Sequence, residues 1–202
     1  MPLPRAFYLR RPTALARDLL GCVVVSRRGG AETAGRIVET EAYLGPEDGA
    51  SHAAFRPGSH ALIYGDGGHA YVFMAYGVHL CLNAVAGAAG TPGCVLIRAL
   101  EPLRGVAVMA RRRGAAPGAV RVASGPGNLT RALGVTLRDN GLDLTRGPLT
   151  IEPPRAPRGG RIGVGPRIGI TRAVQRPLRF WIVGNPFVSG STSRRRASGT
   201  PG

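Results

Sequence analysis

The stretch Arg36-Ile-Val-Glu-Thr-Glu-Ala-Tyr43 predicts a β-strand with an unusual face. Successive side chains of a strand point to opposite sides, so Glu39, Glu41 and Tyr43 share one face. Two acids and an aromatic ring are not what a hydrophobic core selects. Two interpretations stay open at this point: a solvated face paired with nearby arginines, or a site that uses the carboxylates.

The chain around this strand predicts a single α+β domain with a mostly antiparallel sheet, because strands outnumber helices and no βαβ rhythm appears. A long loop, 44–68, follows the strand, and loops of this length in compact domains are usually functional. We expect one domain over 1–189 and a disordered basic tail over 190–202. The expected helices are 13–20, 103–113 and 128–133; the expected strands are 22–26, 35–43, 93–100, 149–152, 161–164 and 178–183, with a hairpin at 71–85.

The charge of the chain indicates a polyanionic partner. All 27 basic residues are arginine, there is no lysine, and the formal net charge is +16. A strongly basic small domain most often binds nucleic acid. The missing lysine excludes a P-loop and a lysine Schiff base. Composition alone leaves a generic RNA-binding protein as an alternative.

Cysteine usage and the distribution of apolar residues indicate the cellular compartment. Three cysteines without C-x-x-C spacing favour reduced thiols over disulfides or a zinc site. No apolar stretch reaches the roughly 18 residues that span a bilayer, and the N-terminus lacks the apolar region of a secretory signal. We therefore expect a cytoplasmic protein that does not bind membranes.

Histidines and acids in the 44–68 loop raise the question of a metal. The four histidines, at 52, 60, 69 and 79, lack a ligand spacing such as H-x-x-x-H. Glu47, Asp48 and Asp66 complete a metal site on paper only, and a lone loop histidine is more often a hydrogen-bonding residue. We expect neither a metal nor another cofactor.

Three further residues need partners. Tyr76 stands beside Gly77 at a hairpin tip, where a large aromatic ring either packs back on its own sheet or contacts something else, such as a base stack. Asn83 interrupts an apolar strand and must be hydrogen-bonded, structurally or to a ligand. Arg98 is central in another apolar strand and needs an anion, for which Glu41 is the natural candidate.

These residues belong to a series of segments that resembles the alkyladenine (3-methyladenine) DNA glycosylase family. The Glu-Thr-Glu-Ala-Tyr run followed by Gly45-Pro-Glu-Asp48 is highly specific in this context. The segments follow the family order from about residue 15 to 188. They are 15–21, 36–48, 51–52, 76–77, 81–83, 95–102, 125–126, 146–148, 161–164 and 177–180.

The resemblance implies a role for each matching residue. Glu41 is then the general base, and Arg98 and the backbone carbonyl of Ile162 position the attacking water. The pocket for the flipped base is implied to use Tyr43, His52 and Phe73 as walls and Asn83 against the amino group of normal guanine, with Tyr76 as the intercalating wedge. The implied fold is a curved antiparallel sheet with a protruding hairpin and flanking helices.

The implied function is base-excision repair of double-stranded DNA by a monomer, in the nucleoid of a bacterium. Alkylated or deaminated purines are hydrolysed from deoxyribose, and the absent lysine predicts an abasic site without strand cleavage. We expect Arg98 to keep Glu41 ionised at pH 7. The segment Arg56-Pro-Gly-Ser-His-Ala-Leu-Ile-Tyr64 departs from the family pattern, and Phe73 stands where tyrosine is frequent. A damaged-DNA binding module without catalysis and a small-molecule enzyme on the same fold stay open as alternatives.

Overall fold

The computed structural model describes residues 1–116, 119, 121–157 and 159–190. Its helices are α1 Arg5–Tyr8, α2 Pro12–Asp18, α3 His52–Phe55, α4 His60–Ile63, α5 Val106–Arg113 and α6 Pro126–Leu133. Its strands are β1 Val23–Arg28, β2 Ala31–Tyr43, β3 Ala70–Ala75, β4 His79–Val85, β5 Cys94–Arg104, β6 Leu149–Glu152, β7 Ile162–Gly165 and β8 Arg179–Ile182. The basic tail expected over 190–202 lies, from residue 191 onward, outside the described residues and stays a prediction.

The eight strands form one curved sheet in which every pairing is antiparallel, which confirms the predicted α+β class. The strand order is β3-β4-β5-β2-β1-β6, and β8 pairs with both β2 and β7. Strand β2 is 13 residues long and pairs with three other strands, β1, β5 and β8. Its first half pairs with β1, its residues 39–41 pair with β8, and β5 runs along its other side.

Both faces of the second half of β2 are covered, which explains why Glu39 and Glu41 are buried rather than solvated. Irregularities in its register with β5 occur around Glu39. Ile37, Val38 and Ala42 belong to the main hydrophobic core together with helices α2, α5 and α6. Helix α5 runs between Gly105 and Gly114, both with positive φ, as is common where helices begin and end at glycine.

Three segments differ from the sequence-based prediction, and the first is the end of β5, which continues to Arg104 where a helix from residue 103 was expected. The long loop over 44–68 contains α3, a short 3-10 helix at Pro57–Ser59 and α4. Helix α3 begins because the hydroxyl of Ser51 accepts a hydrogen bond from the N–H of Ala53, a capping contact that a Gly- and Pro-rich composition conceals. Helix α1 was not predicted at all, because four residues show no periodicity. Within the described part of the chain, no helix has the length and apolar character to cross a membrane.

Strands β3 and β4 form the predicted hairpin, which projects from the sheet with its register closing at Ala75 and His79. The turn passes through Tyr76 and Gly77, whose φ values are 52° and 71°. A tyrosine in the left-handed region is uncommon, and such strain concentrates at functional sites. The hairpin tip therefore stands at one edge of the sheet with its aromatic ring exposed.

Candidate active site

A cavity of about 740 Å³ opens between the β3–β4 hairpin, the segment around α3 and the loop 168–172. Its aromatic and imidazole walls are Tyr43, His52, Phe55, Tyr71, Phe73, Tyr76 and His79. Three arginines also line it: Arg56, Arg98 and Arg172. No aspartate or glutamate is among the described residues that form its lining. The cavity thus combines flat apolar walls with positive charge.

The carboxylate of Glu41 lies directly behind the wall of this cavity. It has no exposed surface, and three cavity-lining residues contact it. Tyr43 Oη donates to Oε2 at 2.9 Å, the N–H of Ile168 donates to Oε1 at 2.8 Å, and Arg98 Nη1 lies 3.2 Å from Oε1. The predicted ion pair between Arg98 and Glu41 is confirmed. Glu41 itself is absent from the cavity lining, and the Tyr43 side chain that binds it lines the cavity in its place.

The protonation of Glu41 follows burial more than charge. Burial raises the pKa of the Glu41 carboxyl, and the nearby charge of Glu39 raises it further. Arg98, the Ile168 N–H and the Tyr43 hydroxyl act in the opposite direction without cancelling the rise. Arg98 favours the ionised form, as expected, but desolvation outweighs it; that Glu41 is ionised at pH 7 stays a prediction. A carboxylate with a raised pKa is a stronger proton acceptor.

Both backbone groups of Ile168 face the Glu41–Arg98 pair. Its N–H binds Glu41, and its carbonyl accepts from Arg98 Nη1 at 3.4 Å. Ile162, to which the resemblance gave this role, begins β7, pairs with Ile182 and is absent from the cavity lining. The tripeptide Arg-Ile-Gly occurs twice, at 161–163 and 167–169, and it is the second copy that the loop brings to the cavity.

His52 and Phe73 form one wall, with ring centroids 4.4 Å apart. Tyr71 was not predicted as a site residue, yet its hydroxyl lies 2.6 Å from His52 Nδ1 and so fixes the imidazole. Burial, with a smaller effect of Arg56, lowers the pKa of His52 to about 4. The imidazole is therefore neutral at pH 7 and offers an uncharged stacking surface.

Asn83 lies at the buried end of the cavity on β4. Its Nδ2 donates to the carbonyl of Tyr71 at 3.0 Å, and the thiol of Cys94 donates to its Oδ1 at 3.8 Å. These contacts answer the requirement for a hydrogen-bonding partner in an apolar strand. They also fix which face of the amide meets the cavity.

Tyr76 bridges the cavity mouth. The side chain is 79% exposed, and its hydroxyl donates to the carbonyl of Gly169 in the opposite loop. The alternative in which Tyr76 packs back on its own sheet is therefore wrong. Met74 and Val78 are exposed beside it, so the tip presents an apolar surface to whatever occupies the mouth.

A second buried ion pair supports the wall from behind and was missed by sequence reasoning. Arg167 donates to Asp48 from Nη1 at 2.6 Å and from Nη2 at 2.7 Å. Its Cζ lies 4.6 Å from the centroid of the Tyr43 ring. Asp48 was considered only as a metal ligand. Among the described residues, no group of three His, Cys, Asp or Glu side chains is arranged to hold a metal ion.

The sequence of the chain matches a known family. Residues 6–186 match the family described as methylpurine-DNA glycosylase. A protein of Koribacter versatilis is 47% identical over 94% of this chain and 93% of its own length. The corresponding values are 44%, 94% and 99% for one of Methanoculleus marisnigri, and 43%, 93% and 96% for one of Bacillus licheniformis. All three are provisionally named 3-methyladenine DNA glycosylase. The chain therefore belongs to the methylpurine-DNA glycosylase family.

Proposed function

We propose that this chain is a DNA repair glycosylase that accepts a flipped, alkylated or deaminated purine from duplex DNA in the 740 Å³ cavity and hydrolyses its N-glycosidic bond. The observation that carries the proposal is the Glu41–Arg98 pair, with both backbone groups of Ile168, at the inner wall of an aromatic cavity. The volume lies within the range of about 300–1,000 Å³ that ligand sites occupy.

DNA binding draws on the charge of the chain. A net charge of +16, all of it from arginine, supplies sequence-independent affinity through phosphate contacts and counterion release. Extruding a nucleotide costs a few kcal/mol, least for damaged or poorly paired bases. Tyr76 offsets part of this cost by entering the stack in place of the extruded base. For this it must release the carbonyl of Gly169.

Recognition of the base relies on stacking. Tyr43, His52 and Phe73 line the cavity, and their rings are held by Arg167, Tyr71 and each other. Electron-poor alkylated purines gain from such contacts. The neutral imidazole avoids repelling a cationic base. In this proposal Asn83, whose Nδ2 is held by the Tyr71 carbonyl, disfavours the exocyclic amino group of normal guanine.

Hydrolysis needs one water and one proton acceptor. The water oxygen forms a bond to C1′ of deoxyribose, the glycosidic C–N bond breaks with its electron pair on the base, and the water proton passes to Glu41. Arg98 and the carbonyl of Ile168 orient this water. Oε2 of Glu41 has the Tyr43 hydroxyl as its only hydrogen-bond donor in the described part of the chain, so a shift of Tyr43 against the stacked base gives water access.

The product of this reaction is an abasic site in an intact strand. Glycosylases that also cleave the backbone form a Schiff base through an amine, and because the chain has no lysine, only its N-terminal amine remains as a candidate. The monomeric state remains an expectation of this proposal. Water is the only co-reactant that the scheme requires, in line with the expectation of no metal and no cofactor.

The full burial of Glu41 is the observation that favours a second candidate, a damaged-DNA binding module without catalysis. In that case the buried carboxylate serves only to hold Arg98. The two candidates share the cavity, the wedge and the charge, and they differ in whether base is released.

Base release from duplexes that each carry a single lesion tests the proposal. The panel contains 3-methyladenine, 7-methylguanine, hypoxanthine or ethenoadenine, with an undamaged duplex as control. We expect free base by chromatography, strand breaks only after alkali treatment, and no covalent complex after borohydride reduction. Absence of base release from all four duplexes would contradict the proposed activity, and a borohydride-trapped complex would contradict hydrolysis without strand cleavage.

A further inference from the structure

Glu39 is a second fully buried carboxylate on β2 that does not line the cavity. Its Oε1 accepts from Arg98 Nε at 3.2 Å and from Arg179 Nε at 2.6 Å. Its Oε2 accepts from the backbone N–H of Ser189 at 2.7 Å. Burying a charge is costly unless partners of this kind are present. The hydrogen bonds to Glu39 therefore stabilise a buried charge that the proposed reaction does not use directly.

Arg98 is shared between the two carboxylates. Its Nε faces Glu39 and its Nη1 faces Glu41, while its Nη2 lies 3.3 Å from the hydroxyl of Ser189. A guanidinium is a rigid planar fork. Because Glu39 binds Nε and the guanidinium is rigid, Nη1 is held pointing toward Glu41 and the carbonyl of Ile168.

The charges that face Glu41 come from several elements. On β2 these are Glu39 and the Tyr43 hydroxyl; β5 contributes Arg98, and the loop that contains Ile168 contributes Arg167. The Cys81 thiol of β4 is the remaining titratable neighbour. Glu39 is the only other carboxylate in this described surrounding, so it is the one group whose negative charge counteracts Arg98.

We propose that Glu39 is a positioning residue for base hydrolysis, which holds the Arg98 guanidinium against Glu41 and takes up part of its charge. This inference rests on the proposed function, with Glu41 as the base. It gives the buried segment around Ser189 a role as well, because the Ser189 backbone and hydroxyl complete the support of both Glu39 and Arg98.

The substitution Glu39→Gln tests the proposal, because glutamine keeps the size and one acceptor oxygen but removes the charge. At acidic pH the single-turnover rate falls as Glu41 becomes protonated, which defines the acid limb of the profile of rate against pH. We expect this limb to move to lower pH by about 0.5–1 unit, since Arg98 then acts on Glu41 alone. The plateau rate should fall about tenfold, because the weaker base accepts a proton less readily. A purely structural role does not move the acid limb.

Two further variants make the outcome decisive. Glu101→Gln removes a half-buried carboxylate that binds Arg36 outside the cavity. It should leave both the acid limb and the plateau rate unchanged. Glu39→Asp keeps the charge but shortens the reach, so the limb should stay in place while the rate falls. If Glu39→Gln does not fold, as judged by its thermal transition, the Glu39→Asp profile decides.

The inference is overturned if Glu39→Gln has the acid limb and the plateau rate of the wild type. Where Glu39→Gln does not fold, it is overturned if Glu39→Asp has the plateau rate of the wild type. An inactive Glu41→Gln beside a normal Glu39→Gln would overturn this inference alone. Full activity in Glu41→Gln would instead overturn the proposed function.

Discussion

Asp48 and Arg167 form a two-pronged ion pair in which neither side chain has any exposed surface. The pair ties the segment that follows β2 to the loop that carries Ile168. Arg167 also donates to the carbonyl of Ala42 and lies against the ring of Tyr43. The cavity wall and the cover of Glu41 therefore depend on one buried electrostatic contact.

Breaking this pair should be costly. The substitution Asp48→Asn leaves the Arg167 charge buried without its counter-charge, which lowers the free energy of unfolding by about 3–5 kcal/mol. Chemical denaturation measures the loss. Asp18→Asn is the matched control because Asp18 pairs with Arg10 on the surface, where an ion pair is worth less than about 1 kcal/mol. Equal effects of the two substitutions would contradict the role of burial.

The same pair predicts a pH dependence. Burial raises the pKa of Asp48, but hydrogen bonds from Arg167 and from the N–H groups of Leu44 and Ala50 outweigh it and hold the pKa below its ordinary value. The stability it contributes is present above the unfolded pKa, near 4, and is lost as pH falls through the lower folded pKa. The difference between wild type and Asp48→Asn should therefore shrink on acidification, whereas a constant difference speaks against this linkage.

Glu41 should show the opposite dependence. Because its pKa is higher in the folded than in the unfolded chain, stability is greatest below the unfolded pKa and falls as pH rises through the folded pKa. Glu41→Gln removes this loss, so it should gain stability relative to wild type between pH 5 and pH 8, by about 1.4 kcal/mol per unit of pKa difference. Thermal unfolding at both pH values measures it; a gain that is larger at pH 5 would contradict the raised pKa.

Removing the Tyr43 hydroxyl should make the ionised form of Glu41 less stable. In Tyr43→Phe the ring remains for stacking, but Oε2 loses its donor, and the pKa of Glu41 rises further. The acid limb of the base-release rate should move to higher pH, the direction opposite to Glu39→Gln. Tyr64→Phe, outside the cavity lining, is the control. A limb that stays fixed would show that this bond does not influence Glu41.

Tyr76 should act through its ring and not its hydroxyl. Tyr76→Phe loses the contact with Gly169 but keeps the aromatic wedge, so it should bind a hypoxanthine duplex as tightly as wild type or more tightly. Tyr76→Ala should weaken binding about tenfold or more, since stacking on a base is worth about 1–3 kcal/mol. Fluorescence polarisation gives both constants, with Val78→Ala at the same tip as control. Equal weakening by Phe and Ala would refute the wedge.

Much of the fold could be predicted from local pattern. Strand β2, the hairpin tip at Tyr76 and helices α5 and α6 follow from alternation, glycine placement and amphipathic spacing. The small helices α1, α3 and α4 could not, because each has four residues and depends on tertiary contacts. The Arg98–Glu41 pair was predictable because an arginine in an apolar strand requires an anion.

Other parts of the site depend on how distant loops meet, which spacing does not contain. The duplicated Arg-Ile-Gly offered two candidates for the carbonyl beside Arg98, and only the folded loop distinguishes Ile168 from Ile162. Arg167 and Glu39 were unassigned because no local pattern marks Arg167, which follows Gly165 and Pro166, as the partner of Asp48, or shows that Arg98 binds a second carboxylate besides Glu41. The raised pKa of Glu41 likewise reflects burial, which only tertiary structure reveals.

The most direct test of the account compares single-turnover base release by wild type, Glu41→Gln and Glu47→Gln from a hypoxanthine duplex at saturating enzyme. Glu47 is an exposed acid in the neighbouring loop and serves as the charge-matched control. We expect Glu41→Gln to lose about 10²–10⁴-fold in rate while its affinity for the duplex is unchanged, and Glu47→Gln to match wild type. Base release by Glu41→Gln at the wild-type rate would contradict the assignment of Glu41 as the catalytic base.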